Sequence, residues 1–332
     1  MAIQAVHKAR GLLRKMMLGE ADLPLTYSLG LHLPQNEVAV WLHGMGEPRD
    51  VTQRHSVACT NPFLLCIGFD GEEPPPQKTR GRLSLRFCER NGERRLLGEI
   101  GLCLSDMFPP IGSELYLFEA KSCTNFCLSR ARSYTHDLYQ AYIRWRNRKT
   151  ANVRMATMGS RCNAVVFICP RPVVLVSLRD GERGNVFPMN LMGPVGEDRF
   201  AFALNATRRT AAVVERLGEV AFSSVPFDKL SLAREMGRNH HRELIEWEQL
   251  PFQMRRSETL GIPVPEFAQH VRELKIETVR RPGSHTFFVA RMVGETNCGD
   301  GPEFCMTLGL YEAWRQRNGD SIRQLISIAG SV

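Results

Sequence analysis

Phe200-Ala201-Phe202-Ala203-Leu204-Asn205-Ala206-Thr207-Arg208-Arg209-Thr210 passes from a short apolar strand through a polar turn into an amphipathic helix that runs from about Thr207 to Leu217. Gly218 falls where a helix C-terminal glycine belongs, and a strand at Val220 to Val225 follows at once. Working outward, strands are expected at Ala164 to Ile168 and Val173 to Ser177 on one side. On the other come a short helix from Phe227 to Met236, the proline-rich passage Gly261 to Pro265, and strands at Val271 to Val279 and Thr286 to Val293. Short strands with few helices predict a mainly β fold with α elements, a β-barrel decorated by helices and not a doubly wound sheet.

The N-terminal half also reads as strands: Val38 to Leu42, Phe63 to Phe69, Leu83 to Phe87 with period-2 alternation, and Leu96 to Leu104. Asn91-Gly92 between the last two is a strong hairpin signal. The loop Gly71 to Pro76 ends in three consecutive prolines, which forbid a helix or an inner strand. From Arg132 to Lys149 the pattern turns helical, with Leu138, Tyr142 and Trp145 at spacings of four and three. Arg144, Arg146, Arg148 and Lys149 crowd its end, where cations suit the helix dipole. The polar stretch after it marks a boundary, giving a β-rich domain over 1–150 that ends in a basic helix and a second domain over 151–332. No sequence repeat stands out.

The chain has 332 residues and a formal charge of +8, from 43 Lys plus Arg against 35 Asp plus Glu. Up to Thr150 there are 20 basic and 15 acidic residues, leaving 23 and 20 beyond it. Neither half concentrates basic charge, so phosphate-bearing cofactors suit the balance at least as well as DNA, and a nucleic-acid partner is not expected. Ten scattered cysteines without a secretory signal suggest a reduced, cytoplasmic setting. No segment approaches the roughly 20 apolar residues of a membrane span; the first residues read as a basic amphipathic helix. No G-x-G-x-x-G, P-loop, C-x-x-C or H-E-x-x-H pattern occurs, and no metal site is expected.

Chemistry is concentrated at the turn from Asn205 to Thr210. A helix start exposes unpaired N–H groups and the positive end of the dipole, so hydroxyls and guanidinium groups there make an anion site. The same residues also admit a plain reading in which Asn205 or Thr207 simply caps the helix. Cys169-Pro170-Arg171-Pro172-Val173-Val174-Leu175-Val176-Ser177, followed by Asp180-Gly181 and Gly184 to Met192, resembles the opening of the flavin reductase-like family, whose fold is the FMN-binding split β-barrel. The resemblance continues through the Asn205 to Thr210 turn, the strand Glu219 to Val225, Gly283-Ser284-His285-Thr286-Phe287-Phe288-Val289, and Gly309-Leu310-Tyr311. It covers about half of the chain, from Met155 to Trp314.

The resemblance implies that Pro188, Met189, Asn190, Leu191 and Met192 run along the flavin ring. It implies that Asn205, Thr207, Arg208, Arg209 and Thr210 bind the FMN phosphate, and that His285 lies near the ring face where a reduced nicotinamide docks. His285 equally admits the role of a histidine hydrogen-bonded at a strand start. Ser284 stands where the family usually has an acidic residue. His240-His241 falls in a region that loops toward the flavin in the family, or is an exposed pair. The expected activity is hydride transfer from NAD(P)H to FMN, with FAD as another possible substrate and, in a homodimer, flavin near the subunit interface. Two other readings stand beside it: an enzyme with tightly bound FMN that serves another acceptor or a partner oxygenase, and a non-catalytic flavin-binding or interaction protein.

Overall fold

The computed structural model describes residues 26–33, 37–69, 83–90, 94–108, 114–146, 155–319 and 326–327, with positions 9, 11, 12 and 16. The triple-proline loop, the Asn91-Gly92 turn, the boundary at Thr150 and most of the basic N-terminal segment lie outside these residues. The fold is mainly β with α elements. One antiparallel sheet is built from β1 (Val38–His43), β2 (Arg49–Asp50), β3 (His55–Thr60), β4 (Phe63–Phe69), β5 (Leu83–Glu89), β6 (Leu96–Met107) and β7 (Glu114–Asn125), in the spatial order β2-β1-β5-β6-β7-β4-β3. A second contains β8 (Val174–Asp180), β9 (Arg183–Met189), β10 (Met192–Pro194), β11 (Arg199–Asn205), β12 (Glu219–Ser224), β13 (His270–Arg280) and β14 (His285–Asn297), in the order β9-β8-β12-β13-β14-β11-β10. A smaller ladder pairs Thr26–Leu31 with Glu303–Leu308, tying the early chain to the late chain.

Strand alternation sorts the side chains into cores. Val38, Val40 and Leu42 of β1 and Leu85 and Phe87 of β5 face one buried cluster, as expected when every second residue points to the same side. Helix α1 (Arg130–Arg146) leads to α2 (Thr157–Val166), which lays Cys162, Val165 and Val166 on that cluster. A Cβ on Gly98 would sit 2.7 Å from a Val165 methyl, so α2 can settle on β6 only because a glycine lies beneath it. The second sheet encloses its own core, in which Phe202 stacks on Phe288 with centroids 4.9 Å apart and meets Phe222 edge-on at 5.1 Å. A third cluster, including Ala58, Cys66 and Leu117 from the first sheet and Ala201, Ala203 and Phe287 from the second, lies between the sheets.

Two expectations are corrected. Ala164 to Ile168, expected as a strand, is the last turn of α2 and the bend after it; a short continuous apolar run does not reveal its period, and here the buried Cys162, Val165 and Val166 follow helical spacing. The helix expected from Phe227 to Met236 is broken into a 3₁₀ turn, Phe227–Lys229, the short α4 (Leu230–Glu235), and a second 3₁₀ turn, Met236–His241. The apolar stripe that marks α1 in the sequence, Leu138, Tyr142 and Trp145, faces solvent, while His136 is buried and Asp137 pairs with Arg161 of α2 at 2.6 Å. Beyond the second sheet, α3 (Arg209–Leu217) ends on Gly218 at φ 71°, and α5 (Gly309–Arg317) follows the strand Glu303–Leu308. Among the described residues no helix is long and apolar enough to cross a membrane.

Phe202→Ala removes a fully buried ring from between two aromatic neighbours. It is expected to cost about 3–5 kcal/mol, read as a lower denaturation midpoint in urea with an unchanged slope; a loss below about 1 kcal/mol would mean that this core collapses around the cavity.

Candidate functional site

The Asn205–Thr210 turn forms where β11 ends against the start of β14, with Asn205 opposite His285 in the ladder. Asn205 Oδ1 accepts hydrogen bonds from the Thr207 N–H at 3.0 Å and from the Thr207 hydroxyl at 2.9 Å. This Asx turn satisfies the turn and not the helix. The N-cap of α3 is Arg208, which makes no side-chain cap hydrogen bond, so the cap expected from Asn205 or Thr207 is replaced by an uncapped helix start. Thr210 is fully buried and its hydroxyl has no partner among the described residues. Arg208 lies against the His241 ring, and Arg209, two-thirds exposed, approaches Glu243 at 3.7 Å. Uncapped N–H groups, two guanidinium groups and an orphaned hydroxyl in one helical turn fit a phosphate-bearing group.

The second part of the site, Pro188 to Met192, joins β9 to β10. Met189 and Met192 point into the core of the second sheet, and Leu191 is packed against the cluster between the sheets. Its carbonyls are engaged from three directions: Pro188 O accepts from His240 Nε2 at 2.8 Å, Leu191 O from the Ala203 N–H at 2.9 Å, and Met192 O from Arg171 Nη1 at 3.2 Å. Asn190 donates to Met306 Sδ at 3.5 Å. The His240 ring also packs 4.9 Å from Phe187, and burial pushes its imidazole down to about 4, with the Arg208 charge acting in the same direction. The two histidines thus bridge the site, His240 holding the Pro188 strand and His241 resting on the Arg208 turn. Asn185 anchors this loop by donating to the carbonyls of Asn239, Arg242 and Glu243.

Arg171 and His55 are supporting residues that lie outside the expected site residues. Arg171 is 1% exposed, and its Nη2 lies 3.2 Å from His55 Nε2. His55 Nδ1 sits 2.7 Å from Val51 O; a carbonyl only accepts, so Nδ1 carries the proton and Nε2 accepts from the guanidinium. Burial, reinforced by the Arg171 charge, lowers His55 to about 4, which keeps that acceptor available at neutral pH. The only available sign in the sequence is an arginine set between two prolines at the head of an apolar strand.

His285 is 4% exposed, and burial lowers its imidazole to about 4, leaving it neutral. Its Nδ1 lies 2.9 Å from Ser284 Oγ, and Ser284 Oγ in turn accepts from the Asn61 N–H at 3.1 Å. The Ser284 N–H donates to Asn61 O at 2.9 Å. Ser284, at the position expected to be acidic, therefore links the histidine to the β3–β4 turn of the first sheet. A carboxylate there would put a charge beside a buried neutral ring. Two cavities, of 410 and 390 Å³, open on the first sheet and are lined by none of the expected site residues.

Residues 167–307 match the family model described as the flavin reductase like domain. No curated protein matches the chain. Among solved structures, the chain is similar to an FMN-binding protein from Thermus thermophilus at 25% identity, over 39% of this chain and 72% of that one, with a TM-score of 0.34. An NADH:FAD oxidoreductase of Streptomyces globisporus aligns at 16% identity over 45% and 88%, with a TM-score of 0.40. The styrene monooxygenase flavin reductase from Pseudomonas putida aligns at 13% over 44% and 91%, with a TM-score of 0.37. The match that runs from the end of α2 to the strand before α5 assigns the C-terminal half of this chain to the flavin reductase like domain family.

Proposed function

We propose that the protein is an FMN-binding oxidoreductase of flavin reductase type, taking hydride from NAD(P)H in the cytoplasm and accepting FAD as an alternative flavin. The observation that carries this reading is the uncapped start of α3, with Arg208, Arg209 and a Thr210 hydroxyl that has no partner among the described residues, inside the matched domain. When bound, flavin would supply the redox chemistry, which the protein itself lacks. The chain's own groups bind and orient. The first-turn N–H groups of α3 and the two arginines hold the phosphate, and Pro188 to Met192, fixed by His240 and Arg171, line the ring. His285, neutral and tied to Ser284, offers a polar group that changes no charge near neutral pH. A partner oxygenase is a fitting acceptor for the electrons.

A second reading, flavin binding without catalysis, draws on the burial of His285, which leaves little of its ring to meet a docking substrate. The absorption spectrum of purified protein before and after anaerobic NAD(P)H separates the two. Flavin absorbance that bleaches supports the reductase; absorbance that persists supports a binding protein, and a colourless protein that leaves added FMN unquenched defeats both.

Replacing Arg208 and Arg209 together by Ala is expected to weaken FMN by more than tenfold and riboflavin by little, because a hydrogen bond to a charged group contributes about 1.5–3 kcal/mol. Equal losses for both flavins would place the phosphate elsewhere.

With His285 held neutral down to about pH 4, the folded enzyme takes up no proton there between pH 8 and 5. The rate of NAD(P)H oxidation is expected to show no inflection near pH 6.5 attributable to this residue, and His285→Gln should retain more activity than His285→Ala. A pH-rate step near 6.5 that disappears in His285→Gln would show that the ring titrates in water.

A further inference from the structure

The two large sheets have one topology. Pairing each strand of the first sheet with the strand seven places later converts the order β2-β1-β5-β6-β7-β4-β3 into β9-β8-β12-β13-β14-β11-β10. The registers agree as well as the order. Leu85 faces Ile100 as Phe222 faces Arg272, and Cys66 faces Leu117 as Ala201 faces Val289. Both long hairpins carry the same two register shifts, between Gly101 and Leu102 and between Leu104 and Asp106 in β6, and between Glu273 and Leu274 and between Ile276 and Thr278 in β13. Leu102 corresponds to Leu274 and Leu104 to Ile276, so the bulges fall at matching steps. Bulges re-aim a strand at chosen positions; two of them at matching positions, inside seven strands in matching order, mark a repeated unit.

The copies pack on each other as two subunits do across a two-fold axis, where the same patch of each faces the other. The register-equivalent pairs Cys66 and Ala201, Leu115 and Phe287, and Leu117 and Val289 all point into the cluster between the sheets, while the alternate residues Leu65 and Phe202 turn to separate cores. Ser56 and Gly193 are equivalents too, facing Cys66 and Ala201 respectively. They meet at the crossing: a Cβ on Gly193 would lie 3.7 Å from Ser56 Cβ and 2.7 Å from His55 O.

The site features are not duplicated. After β11 comes Asn205 to Thr210 with two arginines; after β4 the chain reads Asp70-Gly71-Glu72-Glu73-Pro74-Pro75-Pro76, three carboxylates that repel phosphate and three prolines without N–H donors. The ladders make Glu114 the equivalent of Thr286, so Ser113 occupies the sequence position of His285. What the first copy gives is a contact to the other's site, through the Asn61 N–H on Ser284 Oγ.

We propose that residues 38–125 are a second copy of the sheet that has no phosphate site and stands where a partner subunit would pack, so that one chain is a complete two-sheet unit with a single flavin site. The interface expected between the two subunits of a homodimer is then met within one chain. The identity of the ligand rests on the flavin reading above; the duplication does not. Light scattering of the full chain over a concentration series is expected to give the mass of one chain, 37.6 kDa, and FMN titration followed by fluorescence quenching is expected to saturate at one flavin per chain. A two-chain mass throughout the series, or two equivalents of FMN per chain, would overturn the proposal. Absence of FMN binding with a single-chain mass would overturn the flavin reading alone and support the duplicated unit.

Discussion

The close approach of the two sheets is the constraint on which the rest of the molecule depends. A Cβ on Gly68 would stand 1.7 Å from Val195 O, and one on Gly193 2.7 Å from His55 O, so the backbones touch where side chains are absent. Alanines at 201 and 203 continue the narrow crossing on β11, and Phe287 and Leu117 fill the cluster beside it. Interiors pack as densely as organic crystals, and a contact with so little slack fixes the position of everything mounted on the two strands. The β3–β4 turn is carried to Ser284 by this contact, and Ser284 sets the His285 ring.

Burial then decides the electrostatics of the site. His55 and His285 are buried and His240 is half-buried, and each has its imidazole lowered to about 4, because transfer out of water penalises the protonated ring. All three are neutral at physiological pH and act as fixed hydrogen-bonding groups. Arg171 carries its guanidinium to nearly complete burial beside His55 and Met192 O, an arrangement that works only because the ring facing it presents an acceptor. Arg208 and Arg209 stand at the start of α3, where the helix dipole has the same sign, an arrangement that suits an anion.

Much of the fold was legible along the chain. Val38 to Leu42, Phe63 to Phe69 and Leu83 to Phe87 read as strands because their patterning is local, and Gly218 marked the end of α3 because a left-handed residue there strongly favours glycine. The Asn205–Thr210 turn and Pro188 to Met192 were legible as segments. Asn61, His55 and Asn185 were not: each acts on a residue far away in sequence, and nothing in its neighbours along the chain reports the partner. The strand expected at Ala164 to Ile168 failed for a related reason, since the surface that makes it the end of a buried helix belongs to β6 and β7.

The strand-rich character of the chain and the strand-to-helix turn with its two arginines are written in the sequence, because they depend on residue types at short spacing, and the order of its motifs carries the resemblance that residues 167–307 bear to the flavin reductase like domain. The tertiary structure alone decided that Ser284 answers to Asn61, that Arg171 and His240 hold the Pro188 to Met192 segment, and that the N-terminal half repeats the topology of the other. Strand order and ladder register survive almost complete replacement of side chains, since they are carried by backbone hydrogen bonds and by which face of each strand is apolar. A repeat conserved in those terms leaves no pattern of residues to read.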